Sequence, residues 1–321
     1  MKWLQRMLTR LNGLYYPQEY LCLNKETFDH PLFMYLASDG RATKDITDLH
    51  LFIGYHPLVL ALDAQFASLP AIEIIFSPQP LPLNEIVAKK DAIARISLQK
   101  AGELQSGDTQ INFYEGTQAA HRFVSSFHQY IINTYNELFQ KKKSNVFLHK
   151  NLYKQVQVAY SIPRTISLVT VAEGRLFNCF PTDLHGQVSE HLYIISLRHE
   201  GKACRQVLSS GKILLAEMSC TQFKTVYSLG KNHMQDPRPR ESFPFSELNS
   251  ANFALPIPNG GIAYRELELL DSFNHGIHKI MLFHIRSRVQ LVSSNATLAH
   301  IHNVYATWRR KKGLAGNYFM R

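Results

Sequence analysis

The sequence predicts a mainly β fold of the α+β class, in which one arrangement of elements occurs twice along the chain. Short apolar or alternating segments separated by turn residues dominate the 321 residues, helical periodicity is confined to a few segments, and the order of elements recurs. A hydrophobic content of 45% is ample for two cores in a chain of this length. We therefore expect two domains, preceded by an amphipathic helix at residues 1–20.

The first half of the chain is predicted to contain short strands and one helix. The strand segments are residues 32–36, 51–55, 58–62, 72–76, 92–98 and 110–114. A helix follows, with Phe123 and Phe127 at helical spacing, and it ends in a run of lysines. Ser144 comes directly after that run, and there we place the boundary between domains at residues 21–144 and 145–321.

The second half opens with a β-branched run at residues 164–171, which predicts a buried strand that ends in a turn at Gly174. A polar loop is expected at residues 178–185. Two further strands are expected at residues 192–197 and 213–218, with a short helix that ends at Gly211 between them.

Two motifs of the first half recur in the second. The turn around Gly40 matches the turn around Gly174, and the tetrapeptide Thr-Asp-Leu-His occurs at residues 47–50 and again at 182–185. Because the two motifs keep their order, internal duplication is a better explanation than chance. The alternative is that the first 144 residues form an unrelated domain.

Later turns repeat with the same spacing. A leucine precedes the turn by nine residues in both copies, Leu98 before Gly107 and Leu267 before Gly276. Each turn leads into a strand and then into an amphipathic helix, and the second of these helices is expected at residues 298–308. The second copy is the longer one, and we place its extra residues in the proline-containing stretch 235–259.

Together these motifs resemble the flavin reductase-like proteins, which are built on the FMN-binding split barrel. The features that carry the resemblance are Pro163 and its strand, the turn at Gly174, the polar stretch from Asn178 to Asp183, the Ser196-Leu197 strand end, and Gly276-Ile277-His278. They span roughly half of the chain. Two departures are Ile277, where the family usually has an acidic residue, and Glu190-His191 in place of Pro-Pro.

The resemblance implies FMN as cofactor, with FAD as the alternative, and NAD(P)H as hydride donor. It implies flavin contacts for a set of polar and basic residues in the second copy: Asn178, Pro181, Thr182, Asp183, Ser196, Arg198, Lys202 and Arg205. A flavin phosphate needs cationic or hydrogen-bonding partners, and the start of a helix supplies backbone donors. An ordinary polar turn and exposed surface cations are the alternative interpretation of these residues.

His278 matches the family position beside the flavin and the nicotinamide, which implies a catalytic role for a side chain that titrates near neutral pH. The alternative is a structural histidine at the start of a strand. The first copy has Thr109 at this position, and Asp63 where the second has cations. We therefore expect the first copy to be degenerate, with flavin held mainly by the second.

Other classes of site and partner are disfavoured. His275 and His278 have no third ligand beside them, so no metal is expected, and His300 and His302 in the predicted helix are expected at the surface. The net charge of +10 raises the possibility of nucleic-acid binding, but the densest basic runs fall at predicted helix ends. No apolar run is long enough to span a membrane.

The cellular setting is predicted from the cysteines and the N-terminus. The four cysteines show no paired spacing, which argues against a disulfide framework, and the first residues lack the apolar centre of a secretory signal. We therefore expect a cytoplasmic protein that binds neither nucleic acid nor membrane.

The leading functional interpretation is an NAD(P)H-dependent flavin oxidoreductase, in which the flavin performs the hydride chemistry and the protein supplies position and electrostatics. The family normally dimerises, so tandem copies imply a pseudo-dimer within one chain, with a homodimer of the whole chain as a further possibility. The alternative, from a different class, is a non-catalytic flavin-binding or structural interaction protein on the same fold.

Overall fold

The computed structural model describes residues 13–65, 67–140, 146–293, 296–314 and 316–320. Most of the predicted N-terminal helix lies outside these residues, and so do the lysine run and the boundary expected at Ser144. The chain forms two compact units. Unit 1 comprises Met1–Leu21, Phe28–Pro163 and Ile301–Met320, and unit 2 comprises Cys22–Thr27, Arg164–His300 and Arg321.

The strands are numbered along the chain. The first eight are β1 (Tyr20–Asn24), β2 (Phe33–Ser38), β3 (Arg41–Asp45), β4 (Leu51–Tyr55), β5 (Leu58–Asp63), β6 (Ala71–Ser77), β7 (Ala94–Ser106) and β8 (Thr109–His121). The others are β9 (Arg164–Thr165), β10 (Ser167–Glu173), β11 (Leu176–Thr182), β12 (His185–Gln187), β13 (Leu192–Arg198), β14 (Lys212–Met218), β15 (Phe245–Asn249), β16 (Pro256–Pro258), β17 (Gly261–His275), β18 (His278–Gln290) and β19 (Leu298–His302).

Helices account for less of the chain than strands, as the sequence predicts for a mainly β protein. The described α-helices are α1 (Ser126–Tyr135), α2 (Lys150–Ala159), α3 (Lys202–Ser210), α4 (Phe223–Ser228) and α5 (Asn303–Lys311). None of the described helices is both long and apolar enough to cross a membrane.

Each unit contains a seven-stranded antiparallel sheet, and the two sheets have matching strand orders. The order is β3-β2-β6-β7-β8-β5-β4 in unit 1 and β11-β10-β14-β17-β18-β13-β12 in unit 2. In chain order, β2 to β8 of the first sheet correspond to β10 to β14, β17 and β18 of the second. With this correspondence the two strand orders are identical. The repeated motifs therefore lie at equivalent places in two sheets of one topology.

The long central hairpins match residue by residue. Register shifts interrupt them at corresponding positions, after Ser97 and Lys100 in the β7–β8 hairpin and after Glu266 and Leu269 in the β17–β18 hairpin. Such shifts mark bulges, which bend and twist a hairpin locally. Both hairpins therefore bend at the same two places.

Glycines at positive φ close the matching turns. Gly107 and Gly276 both have φ of 56° in the central hairpins, and Gly40 and Gly174 have φ of 74° and 60° in the β2–β3 and β10–β11 turns. This left-handed backbone conformation favours glycine. The turn motifs recognised in the sequence therefore have a conformational reason for being glycine.

The two outermost strands of the unit 2 sheet are consecutive in the chain. β11 ends at Thr182 and β12 begins at His185, so only Asp183 and Leu184 connect them. Such a connection reaches about 10 Å at most, and the sheet must therefore curl until its edges approach. The amide of Ser196 on β13 donates to the carbonyl of Leu184 at 2.9 Å, consistent with this closure.

The curled sheet of unit 2 encloses an apolar core. Its strands contribute alternate residues, among them Val169, Phe180, Ile195, Leu197, Leu215, Leu267, Met281 and Phe283. Helix α3 adds Ala203, Cys204 and Val207 to the same core. It ends at Gly211, which has φ of 65°.

Two sequence-based expectations about secondary structure were wrong. Most of the predicted polar loop at 178–185 is strand β11, since its asparagine is bonded within the protein interior and does not require solvent. Residues 298–302 are strand β19, and helix α5 begins only after them. The side chain of His302 accepts a hydrogen bond from the amide of Val304 at 3.2 Å, which explains why the helix begins at this point.

Most of the extra length of unit 2 lies between β14 and β17. Residues 219–260 occupy this interval, whereas only residues 78–93 separate β6 from β7 in unit 1. The longer interval contains α4, β15 and β16. The stretch 235–259, where the sequence placed the extra residues, lies within it.

Candidate functional site

Three of the predicted site residues lie together where β13 ends and β18 begins. Arg198 is the register partner of His278, and Ser196 pairs with Ile280. Because Ile195 and Leu197 point into the core, Ser196 and Arg198 occupy the opposite face of β13, together with His278 of β18. His278 and Ser196 are 1% and 2% exposed.

The basic loop after β13 is tied to the Gly-x-His turn. The amide of His199 donates to the carbonyl of Ile277 at 3.1 Å, and the amide of Gly201 donates to the carbonyl of Arg198 at 3.0 Å. These two bonds fix the loop against the start of β18. The arrangement holds Arg198, which is half-buried, in place beside His278.

His233 adds a second imidazole near this loop, which the sequence did not single out. Its Nε2 lies 2.7 Å from the carbonyl oxygen of Pro181. A Cβ atom on Gly201 would come within 3.4 Å of the His233 carbonyl oxygen, so the two chain segments pack closely. Burial is the main effect on its titration and lowers the pKa of His233.

Helix α3 starts beside the same loop. Its N-cap is Gly201, which supplies no side-chain hydrogen bond to the helix amides. The ammonium of Lys202 lies 2.5 Å from a carboxylate oxygen of Asp236, and Arg205 is exposed. The first turn of α3 therefore combines backbone donors with two nearby cations, one of which is paired.

Asn178 does not join this group. It is fully buried, its Nδ2 donates to Gln206 Oε1 at 2.6 Å and to the carbonyl of Asn232 at 3.0 Å, and its Oδ1 accepts from the amide of Cys179 at 2.8 Å. The amide group thus links β11 to α3 through bonds to protein atoms. Thr182, on the same strand, is 7% exposed.

Asp183 belongs to a hydrogen-bonded series that the sequence did not predict. Its Oδ2 lies 2.8 Å from His300 Nε2, and His300 Nδ1 lies 2.7 Å from the hydroxyl of Tyr227. The guanidinium of Arg164 donates to the Asp183 carbonyl at 3.1 Å. The expectation that His300 is a surface residue was wrong, because His300 is only 7% exposed in strand β19.

His302 also departs from the expectation. It is fully buried, and its Nε2 lies 3.5 Å from a carboxylate oxygen of Glu19 in unit 1. A sequence pattern of alternating histidines in a short apolar stretch is compatible with both a helix and a strand. The β-branched and apolar neighbours favoured a strand here, but a segment of five residues is too short to distinguish a strand from a helix.

Unit 1 has different chemistry at the corresponding places. After β5, the carboxylate of Asp63 accepts hydrogen bonds from the amide and the side chain of Gln65, both at 3.0 Å. The described residues between β5 and β6 form no helix. Thr109 stands where unit 2 has His278. The described part of unit 1 therefore lacks counterparts of Arg198, α3 and His278.

Metal binding and thiol chemistry are the other kinds of reactivity to consider among the described residues. No group of three or more His, Cys, Asp or Glu side chains there could hold a metal ion. The cysteines Cys22, Cys179, Cys204 and Cys220 are all buried free thiols. Burial raises the pKa of Cys179 to about 12 and that of Cys204 to about 11, which disfavours the reactive thiolate.

Comparison with known proteins gives structural matches only. No family model and no curated protein matches the chain. An FMN-binding protein from Thermus thermophilus is 20% identical, with a TM-score of 0.36, over 40% of this chain and 73% of that chain. NADH:FAD oxidoreductase SgcE6 from Streptomyces globisporus is 14% identical, with a TM-score of 0.41, over 47% of this chain and 89% of that one.

A third match is BorF, the flavin reductase component of a bacterial two-component tryptophan halogenase. It is 15% identical, with a TM-score of 0.41, over 47% of this chain and 94% of that one. These three structures are described as an FMN-binding protein, an NADH:FAD oxidoreductase and a flavin reductase component.

Proposed function

We propose that the chain is a tandem split-barrel protein whose second unit binds a flavin and passes hydride to it from NAD(P)H. The observation that carries the proposal is the β13–β18 register, which sets Arg198 opposite His278 on a face shared with Ser196. FMN is the proposed cofactor, and FAD is the alternative. The family resemblance implies flavin contacts for Ser196 and Arg198 and a catalytic role for His278.

The residues of this face suit a phosphate-bearing, hydrogen-bonding ligand. The hydroxyl of Ser196 is buried and has no hydrogen-bond partner among the described residues, although buried hydroxyls are normally satisfied. Arg198 and the first amides of α3 would hold a phosphate, with Lys202 and Arg205 adding positive charge. A flavin bound there would supply the hydride-accepting ring.

His278 has the role of a positioning and proton-holding group in this proposal. Its register partners are Arg198 on β13 and His275 on β17. The two ring nitrogens of a histidine allow it to donate one hydrogen bond and accept another. It would orient the ligands at the face and would exchange a proton with them.

Asn178, Pro181, Thr182 and Asp183 have supporting roles in the proposal. Asn178 fixes β11 to α3, and the carbonyl of Pro181 fixes His233. Asp183 holds His300, so its carboxylate is engaged within unit 2. These residues would shape the site around the ligand through bonds to protein groups.

Unit 1 is proposed to be a degenerate copy, because Asp63, Ala64 and Gln65 at the end of β5 include no cation and because Thr109 stands at the position of His278. The domain organisation that we propose is the N-terminal segment followed by two split-barrel copies, with the pair acting as an intramolecular pseudo-dimer. The matching strand orders of the two sheets support this proposal.

The test measures FMN retention and NADH oxidation by the full-length chain. We expect FMN to remain with the protein through gel filtration, seen as visible flavin absorbance. The double variant Arg198→Ala/Lys202→Ala should weaken retention about tenfold or more, since charge-assisted hydrogen bonds contribute about 1.5–3 kcal/mol each. The matched control is Arg95→Ala/Lys100→Ala, which removes two ion-paired cations of unit 1.

The outcomes separate the two functional classes. Retention of FMN with flavin-dependent NADH oxidation supports the reductase. Retention without NADH oxidation supports the non-catalytic flavin-binding protein. Equal losses in both double variants would reject the proposed phosphate site, because the effect would then be one of general surface charge.

A further inference from the structure

A second group of polar residues lies inside unit 2 and is separate from the Arg198 face. We call it the inner polar cluster, and its members are Ser167, His185, Tyr193, Glu217 and Arg265. Arg265 pairs in register with Leu215, a core residue, and Ser167 pairs with Glu217. Residues that pair across strands share a face, so these side chains line the interior of the curled sheet.

Four members of the cluster are linked by side-chain contacts, and Ser167 is the register partner of Glu217. Arg265 and Glu217 form an ion pair, and the Arg265 guanidinium lies 5.5 Å from the centroid of the Tyr193 ring. The hydroxyl of Tyr193 is 2.8 Å from His185 Nδ1. Burial lowers the pKa of His185 to about 4, so its imidazole is neutral at pH 7.

Three buried polar atoms of this cluster have no hydrogen-bond partner within the described part of the chain. They are Ser167 Oγ, His185 Nε2 and Arg265 Nε. A buried polar group left unsatisfied costs about 1–3 kcal/mol, and native structures rarely gather several at one place. Arg265 Nε can only donate a hydrogen bond, so the partner that it requires is an acceptor.

Unit 1 shows that the fold does not need this cluster. Counting along the strand ladders from the matching central hairpins, the counterparts of Ser167, Tyr193, Glu217 and Arg265 are Met34, Leu60, Phe76 and Ile96. All four are apolar and 0% exposed. The fifth member, His185, corresponds to His50 of the repeated Thr-Asp-Leu-His motif. The same strand order therefore closes without the other four polar side chains, which need another explanation.

The charge around the cluster favours an anion of low charge. Arg164 and Arg265 act electrostatically on His185, together with Asp183 and Glu217, and Arg288 acts on Tyr193. Three cations and two carboxylates thus act electrostatically on the cluster, and one of these carboxylates is hydrogen-bonded to His300. A dianion would be repelled by Glu217, whereas a single carboxylate matches the surplus of one positive charge.

We propose that the inner polar cluster binds a small monocarboxylate, whose oxygens accept hydrogen bonds from Arg265 Nε and Ser167 Oγ. The planar carboxylate matches the edge of the guanidinium, and His185 Nε2 provides a third contact as donor or acceptor. Arg265 and Glu217 have side chains that are 14% and 25% exposed, which leaves this end of unit 2 accessible. This ligand site is additional to the proposed flavin face.

The experiment measures acetate binding by the full-length chain. The thermal midpoint is recorded against sodium acetate, with sodium chloride at equal ionic strength as reference and inorganic phosphate as a competing oxyanion. We expect a saturable rise with acetate, because a ligand that binds only the native state stabilises it. The resonance of Arg265 Nε–H, assigned by its disappearance in Arg265→Lys, should shift as acetate is added.

Two variants and one control test the assignment. Arg265→Lys keeps the charge beside Glu217 but removes the Nε–H donor, and Ser167→Ala removes the hydroxyl. Each should weaken acetate binding at least about tenfold, which corresponds to about 1.4 kcal/mol. Arg95→Lys, in a cross-strand Arg–Glu pair of unit 1 with a distance of 3.0 Å, should leave acetate binding unchanged.

The other outcomes would overturn the proposal. A response to phosphate alone, a response that survives in Arg265→Lys, or no response that distinguishes acetate from chloride would each show that the cluster is a hydrated structural ion pair. FMN retention is an independent measurement, so failure here leaves the proposed flavin site untouched, and the converse also holds.

Discussion

The two units share a backbone arrangement and differ in the chemistry that they carry. Their sheets have the same strand order, and their central hairpins shift register at corresponding places. Yet Ile96 occupies the interior position that Arg265 takes in unit 2, and Thr109 occupies the position of His278. The comparison indicates that hydrogen-bond ladders, bulges and glycine turns define this architecture, while a few side-chain positions are free to carry function.

The repeated Thr-Asp-Leu-His motif illustrates the same lesson at one site. In unit 1 the motif lies in a connection of residues 46–50, where Asp48 is exposed. In unit 2 the connection is shorter, and Asp183 is drawn into contact with His300. Identical residues therefore acquire different environments because the chain around them has a different length.

The largest expected loss of stability comes from placing in unit 1 the arginine that unit 2 has at the equivalent interior position. Ile96→Arg places an unpaired charge among apolar side chains, and we expect it to lower the free energy of unfolding by about 3–5 kcal/mol. Urea denaturation measures the change. Ile96→Val is the matched control, with an expected loss of about 1 kcal/mol. Similar losses for both variants would mean that the interior of unit 1 admits water.

A second, smaller effect compares the buried histidines of the two units under acid. Burial lowers the pKa of both His121 in unit 1 and His185 in unit 2 to about 4. The histidines of the unfolded chain have a pKa near 6.5, so between about pH 6.5 and 4 they bind protons that the buried imidazoles do not bind. The free energy of unfolding therefore falls as the pH drops through this range. Each histidine contributes up to about 3 kcal/mol of this loss.

Variants measure that contribution unit by unit. His121→Gln and His185→Gln should each flatten the dependence of the urea midpoint on pH within this window. The control is His191→Gln, whose side chain is 69% exposed, and its curve should follow the parent protein. A flattened curve for only one of the two buried sites would show that the units differ in how they exclude protons.

The smallest expected loss of stability tests whether the glycine turns of the two units are equivalent. Gly40→Ala and Gly174→Ala each force a side chain into a left-handed turn, although a Cβ atom would meet nothing within 4 Å at either place. The cost is therefore conformational, at about 1 kcal/mol per site. Equal losses in urea denaturation would confirm that the hairpins are equivalent, whereas a large loss at one site would reveal a difference in packing.

The sequence predicted the strands of both units well, because short alternating runs and glycine turns are local signals. Leu51–Tyr55 falls where the sequence placed it, and the helix ending at Gly211 has a left-handed glycine after it. The matching spacing of Leu98 to Gly107 and of Leu267 to Gly276 reflects a shared hairpin register. The matching turns were visible in the sequence because a left-handed backbone conformation favours glycine.

The arrangement of the polar residues was much less predictable. Asn178 looked like a loop residue because its hydrogen-bond partners, Gln206 and Asn232, are distant in sequence. His300 looked exposed because its partners are Asp183 and Tyr227. A buried polar side chain and a solvated one give the same local pattern, and only the tertiary fold shows which has found a partner.

The two-residue connection between β11 and β12 also bears on how unit 2 is assembled. Both edges of its sheet are synthesised first, as the hairpin-like pairs β10–β11 and β12–β13, whereas the strands that lie between them come later in the chain. During synthesis, β10 and β13 therefore each have one unpaired edge until β14, β17 and β18 emerge. Such unpaired strands can join foreign ones. The inner edges of β10 and β13 are therefore exposed to misassembly until β14 and β18 pair with them.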